Sequence, residues 1–382
     1  MKGTAFILLL VLTPLAVFAQ KSRVLSATQM MGQGKYEEAK EAIELAVWND
    51  KTSSWARTYY VRGLLCQTAY EEGFEKREVK KTSLYPDQLY LAYSSYERAL
   101  ELDRHKRLYT NISQKYYHLS NDFRKLGQRL YLSSNYKEAF RAFEHALLLN
   151  NSTLIHTDTD TSLIYNTALA AYESQNWDKA IAYLSGLHQM GHDPATSLLL
   201  YRALLENGDS IGAEEILLEG LDIYHYNNQV VAYVINLYAR NGNDDEAMAV
   251  VQDALKEDPD NYKFMWARGL IYRRMGEREK AVESLKAALE LAPEEAKIYY
   301  HIGAIYYNMG IELTEKSLQT SSIEKYLELK SDARGFYERA IYWLEKSYEM
   351  DPYDEDIVSI LYQLYNKLQM EEKEEALRHQ ID

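Results

Sequence analysis

Between residues 262 and 295, apolar and small residues recur at helical spacing. Met265, Gly269 and Tyr272 fall three or four apart, and Met275-Gly276-Glu277 then reads as a turn. Ala281, Leu285 and Ala288 mark one face of a second helix, and Pro293 stops it. The pattern predicts two helices packed side by side. The first needs a position without a side chain where its neighbour crosses, which suits Gly269. The second needs small Ala281 and Ala288 for close approach, with Leu285 filling the gap between them. Gly276 can close the first helix at positive φ.

The unit recurs. Gly208, Gly242, Gly276 and Gly310 are each 34 residues apart, as are Ala213, Ala247 and Ala281. Gly269 and Gly303 keep the same interval, and so do Pro259 and Pro293. A fixed period of this length is the mark of a stacked array.

These residues resemble the tetratricopeptide repeat, a 34-residue antiparallel helix pair. The best match covers 228–261, 262–295 and the outer parts of 296–354, with Gly-Glu-Arg-Glu-Lys-Ala (276–281) and Ala-Leu-Glu-Leu-Ala-Pro (288–293) close to the family pattern. The second-helix alanine is found at Ala39, Ala92, Ala139, Ala180, Ala213, Ala247, Ala281 and Ala340. Its preceding turn recurs as Gly34-Lys35-Tyr36, Ser134-Asn135-Tyr136, Gln175-Asn176-Trp177 and Asn241-Gly242-Asn243. The resemblance implies an all-α, right-handed superhelical solenoid over 20–382, with about eight repeats. Residues 355–382 read as a charged terminal pair that caps the last apolar face.

Three segments break the period. The alanine interval before Ala340 is 59 residues, and its excess lies between Gly310 and Tyr337. Ile311–Arg334 is charged and free of proline, so both helices of that repeat are expected to lengthen into a projecting hairpin, with Gly310 kept as a turn. Residues 71–90, with Lys76, Arg77, Lys80, Lys81 and Pro86, form a more broken insertion, and 150–161 is a Ser/Thr/Asn/Asp loop.

Residues 6–19 are apolar apart from Thr13. That run is shorter than the ~20 residues of a membrane span and has the length of a signal-peptide core. Val17-Phe18-Ala19 places small residues for cleavage after Ala19. No Cys follows, so a lipoprotein anchor is not available. The chain is therefore expected to be exported, periplasmic or secreted, with no transmembrane segment in its mature part.

Composition narrows the function. The net charge of −14 is the wrong sign for coating nucleic acid. Seventeen Gly and six Pro are too few for an all-β chain. The lone Cys66 reads as a small buried hydrophobe. Gly208-Asp209-Ser210-Ile211-Gly212 matches the nucleophile elbow of hydrolases, but it follows a helical pattern where the elbow needs a strand. It reads as an inter-helix turn. His188 and His192 are spaced for a metal, yet Gly191 and Pro194 put the second in a turn, so they read as a surface pair. Asp158–Ser162 begins like a calcium loop, but Leu163 and Leu169 hold the required Gly and Glu places, and its Asp and Thr read as helix caps. No set of nucleophile, base and oxyanion donors can be assembled, so neither an enzyme nor a cofactor is expected.

In arrays of this family the first helices line a concave face. The resemblance places Asn236, Arg240, Lys263, Trp266, Arg273, Arg274, Tyr300, Tyr307 and Asn308 there, with Tyr165 and Arg202. Aromatic and Arg side chains are common interface anchors. The two-carboxylate clamp of chaperone-associated relatives uses a fixed Lys/Asn/Arg set, and Trp266, Leu270, Tyr300 and Ala304 occupy much of its place here. The expected function is a non-catalytic scaffold that binds a peptide or partner helix. Two alternatives are an accessory factor in envelope assembly or export, and a glycan-binding component of nutrient uptake.

Overall fold

The computed structural model describes residues 21–155 and 158–378. The expected signal segment at 1–19 lies outside them. The described residues are helical and form no strand. In chain order the helices are α1 (21–32), α2 (Tyr36–Val47), α3 (Ala56–Lys76), α4 (Val79–Thr82), α5 (Gln88–Leu102), α6 (Tyr109–Leu132), α7 (Tyr136–Asn150), α8 (Thr161–Glu173) and α9 (Trp177–Gln189). There follow α10 (Pro194–Glu206), α11 (Ser210–Ile223), α12 (Asn228–Asn241), α13 (Asp244–Glu257), α14 (Tyr262–Arg274) and α15 (Arg278–Leu291). The last four are α16 (Ala296–Gln319), α17 (Ile323–Met350), α18 (Glu355–Leu368) and α19 (Glu371–Arg378). They divide into two compact units, the first holding α1–α9 with residues 203–208, the second residues 193–202 with α11–α19. Among the described residues no helix is long and apolar enough to cross a membrane.

Consecutive helices pack as pairs, and the alanine series sets the contact. Ala39, Ala92, Ala139, Ala180, Ala213, Ala247, Ala281 and Ala340 are all 0% exposed. Only a methyl group fits where the two backbones come this close. After Ala92, Ala139, Ala281 and Ala340 the residue four places later fills the next layer and lies over a glycine of the first helix. A Cβ built on Gly269 would stand 2.7 Å from Leu285, and one on Gly303 would stand 2.6 Å from Leu344. Gly63 faces Tyr96 and Gly127 faces Phe143 in the same way, both at van der Waals overlap. The same device thus appears in both units, with rings over Gly63 and Gly127 and leucines over Gly269 and Gly303. Each such fully buried side chain contributes ~1.5–3 kcal/mol of burial.

The pair turns share one backbone feature. Gly34, Gly208, Gly242 and Gly276 have φ between 74° and 84°. Ser134 and Gln175 hold the equivalent places at φ 60° without being glycine. Gly310 does not belong to this set. It lies inside α16, and a Cβ there would stand 2.5 Å from Cε1 of Tyr337. The expected turn at Gly310 is therefore a helix crossing, because α16 runs on for nine further residues and the chain reverses at 320–322. α16 and α17 are 24 and 28 residues long and pack along each other. Tyr337 Oη and Thr314 Oγ1, 2.8 Å apart, join them above the crossing.

The G-x-S-x-G segment forms a turn and a helix cap. Gly208 takes φ 84°, and the Asp209 carboxylate accepts from the Gly212 backbone N–H at 2.9 Å. Ser210 opens α11. Asp160 caps α8 in the same manner, accepting from Leu163 N at 2.9 Å, and pairs with Arg124. His188 is only 1% exposed and is no surface residue. It sits on the inner face of α9 beside Leu184 and Leu187, where the helical period carries it inward. His192 stacks on Tyr165 with ring centroids 5.9 Å apart. The last helices among the described residues are α18 and the charged α19, whose Leu377 is buried against the α17–α18 core.

Candidate functional site

The nine residues singled out from the sequence fall on α12, α14 and α16, and the structure sorts them into three groups. Trp266, Arg273 and Tyr300 gather at the seam between α14 and α16. His301, which the sequence reading passed over, joins them. The Trp266 and His301 rings are 5.8 Å apart and tilted by 49°, and Tyr300 lies 5.3 Å from His301. Trp266 and Tyr300 are half-buried and Arg273 is exposed. Two polar atoms here are buried with no hydrogen-bond partner among the described residues: Trp266 Nε1 and His301 Nδ1. Burying a hydrogen-bonding group unpaired costs on the order of 1–3 kcal/mol. Burial foremost, then the charges of Arg273 and Lys297, lower the His301 imidazole to about 4. It is neutral at physiological pH.

The second group extends the strip along α16. Burial foremost raises the Tyr300 phenol, followed by the charges of Asp356 and Asp354 at the start of α18. One turn-pair further, Tyr307 Oη donates to Gln363 Oε1 at 2.7 Å, and its ring lies 6.2 Å from Tyr337. Asn308 is exposed beside it. Lys263 is exposed at the start of α14, its Nζ 5.9 Å from the Tyr262 ring.

The third group faces elsewhere. Arg274 bonds to the preceding pair: Nε donates to Asp244 Oδ1 at 2.7 Å, and a terminal nitrogen donates to the Ala239 carbonyl at 2.7 Å. Arg240 and Asn236 are exposed on α12, where Arg240 makes long contacts of 3.4 Å to Tyr201 Oη and to the Asn236 carbonyl. His301 could have been found from the sequence, since it is three residues before the α16 residue Ala304 and next to Tyr300. Its place opposite Trp266 depends on the crossing of two helices and carries no linear signal.

A cavity of 840 Å³ opens in the first unit, and none of these nine residues lines it.

Solved structures similar to the chain include a TPR repeats protein from Bacteroides fragilis NCTC 9343, at 18% identity over 65% of this chain and 98% of that one, TM-score 0.33. The MamA protein is 18% identical over 50% of this chain and 95% of its own, TM-score 0.35. YrrB, described as a TPR protein with an unusual peptide-binding site, is 16% identical over 49% of this chain and 93% of its own, TM-score 0.34. No curated protein matches the chain. Residues 269–310 match the family model for the TPR repeat, a stretch that runs from the crossing glycine of α14 through α15 to the crossing glycine of α16. Over that stretch the chain is similar to the tetratricopeptide repeat.

Proposed function

We propose that the protein is an interaction scaffold that binds an extended peptide or a partner helix along α14 and α16 of the second unit. The observation that carries this reading is the seam of Trp266, Tyr300, His301 and Arg273. It combines half-exposed aromatic faces, an exposed guanidinium and two buried polar atoms without partners. Aromatic and Arg anchors of this type concentrate binding energy in a few residues. The mechanism is non-catalytic surface complementarity. The apolar run at 6–19 supports export, with the scaffold acting in the periplasm or outside the cell.

Crosslinking in intact cells followed by mass spectrometry of the captured chains tests the partner class. Affinity for the captured partner should then fall about tenfold in Arg273→Ala, with the helical circular dichroism unchanged. Arg274 is unsuited to this test because it holds the neighbouring pair. Undiminished binding by Arg273→Ala would place the partner on another face.

A further inference from the structure

The 840 Å³ cavity of the first unit lies where the lengthened end of α3, the short α4 and the middle of α6 meet. Gly73 allows α4 to settle there, since a Cβ on it would stand 2.6 Å from Lys81 Cβ and 2.8 Å from Thr82 N. Six side chains give the cavity its chemistry. Glu71 and Asp122 form one end, Phe74 is an apolar wall, and Arg77, Lys125 and Arg129 supply positive charge.

The acidic end is firmly built. Asp122 is 5% exposed and Gln67 is fully buried. The Gln67 amide nitrogen donates to Glu71 Oε1 at 3.0 Å and to Asp122 Oδ2 at 3.2 Å. Its amide oxygen accepts from Tyr96 Oη at 2.9 Å, which fixes the orientation of the amide. Burial foremost, then the facing Glu71 charge, push the Asp122 carboxyl up into the neutral range, against the Gln67 hydrogen bond and, more weakly, Lys125. The Tyr70 hydroxyl, buried close to Asp122 and Arg129, has no hydrogen-bond partner among the described residues. Two carboxyls held this closely cannot both ionise cheaply, so below neutral pH the pair retains a proton.

The cations are left over. In a chain with 57 acidic and 43 basic residues, Arg77, Lys125 and Arg129 make no ion pair among the described residues. Their neighbours do: Lys76 and Lys81 both reach Glu72, and Arg124 reaches Asp160. Lys125 and Arg129 instead stand 5.8 Å from the centroid of Phe74. While the Glu71–Asp122 pair keeps its proton, the three cations face only that pair's single charge and Glu75. The balance leaves one positive charge unmatched along the cavity lining.

We propose that this cavity is a binding site for one carboxylate, held by Lys125, Arg129 and Arg77, with the apolar body of the ligand against Phe74 and Val79. The unmatched charge suits a monoanion, whereas a phosphate dianion would meet Glu71, Asp122 and Glu75. Guanidinium and ammonium groups are the usual partners of carboxylates. The carboxylate can belong to a small organic acid or to an acidic side chain of a partner protein. Its affinity is coupled to Asp122. Loss of the shared proton adds a negative charge, so binding weakens as pH rises through neutrality.

Titration calorimetry on the full chain tests the site with two probes and their neutral controls. The first is benzoate against benzamide. The second is a blocked peptide, acetyl-Gly-Phe-Glu-Gly-amide, against its Gln counterpart. At least one acid should bind, with its neutral control about tenfold weaker or silent, and about tenfold weaker again at pH 8.5 than at pH 6. Benzoate alone would assign a small molecule, and the Glu peptide alone a protein source. Affinity should drop about tenfold in Lys125→Gln/Arg129→Gln and in Arg77→Gln. All three residues are exposed, and Gln already occupies φ 60° at positions 175 and 369, so these variants keep the fold. Asp122→Asn should still bind and lose the pH dependence. The proposal fails if neither acid binds, if the cation variants bind as wild type does, or if Asp122→Asn keeps the pH profile.

Discussion

Gly310 and Tyr337 meet backbone to ring, with 2.5 Å between a Cβ built at 310 and Tyr337 Cε1. An added methyl group must displace the ring, and the ring is tied to Thr314 and Lys367. Gly310→Ala is therefore expected to destabilise the second unit by ~1–3 kcal/mol, the cost of overpacking a filled core. Gly335, in the facing helix, has nothing within 4 Å of its Cβ position. Gly335→Ala should stabilise by ~0.5–1 kcal/mol through helix propensity alone. Urea unfolding of the two variants reads both. Equal midpoints would remove the crossing from the account.

The left-handed turns offer a second contrast. Ser134 and Gln175 sit at φ 60°, where a side chain costs ~1–2 kcal/mol relative to glycine, partly offset by the greater unfolded-state entropy of glycine. Ser134→Gly and Gln175→Gly should each raise stability by up to ~1 kcal/mol, and Gly276→Ala should lower it by ~1–2 kcal/mol. Thermal melts of the single variants check the signs.

Arg274 fastens one helix pair to the pair before it. Its ion pair with Asp244 is partly exposed and is worth ~1 kcal/mol at most, and the bond to the Ala239 carbonyl adds a similar amount. Arg274→Ala should cost ~1–2 kcal/mol. Arg274→Lys should restore little, because one ammonium cannot reach both acceptors in the same geometry. A double-mutant cycle with Asp244→Asn separates the ion pair from the carbonyl bond.

His301 makes stability depend on pH. Its folded value is lowered to about 4 from 6.5, so below pH 6.5 the unfolded chain takes up the proton that the folded one refuses. Stability of the second unit should therefore fall as pH drops from about 6.5 to about 4. Because Arg273 is one of the causes, Arg273→Ala should move the His301 midpoint upward. Imidazole NMR, with His301→Gln to assign the signal, measures this. A stationary midpoint would separate Arg273 from the seam.

Much of the repeat framework was readable in linear form, because each crossing uses a residue type that nothing else explains. Ala281, Leu285 and Gly269 announce their contacts by size and spacing. The same logic applied at Gly63 and Gly127, but the intervals there are irregular and the partners are the rings of Tyr96 and Phe143. Gly310 shows the limit of a period. It keeps its place in the count while the helix around it continues, so register and role part company. The candidate seam was legible in Trp266, Arg273 and Tyr300 as first-helix residues, though Trp266 and Tyr300 are half-buried and His301 was passed over. Arg274 shares the helix and the charge of Arg273, yet the helical twist turns it toward Asp244. The first-unit cavity was hidden because Asp122 lies about fifty residues from Gln67 and Glu71 and meets them only when α6 packs against α3.

Cys66 is the chain's single thiol, fully buried in α3 and raised to about 12 by that burial. Its carbonyl accepts from Gln88 Nε2 at 2.8 Å, so the contact between α3 and α5 closes over it. A thiolate-seeking reagent meets no reactive sulfur until those helices part. The molecule thereby contains its own stopwatch. The rate at which Cys66 takes up a thiol label, compared with that of an open cysteine, times the breathing of the first unit without any probe being installed.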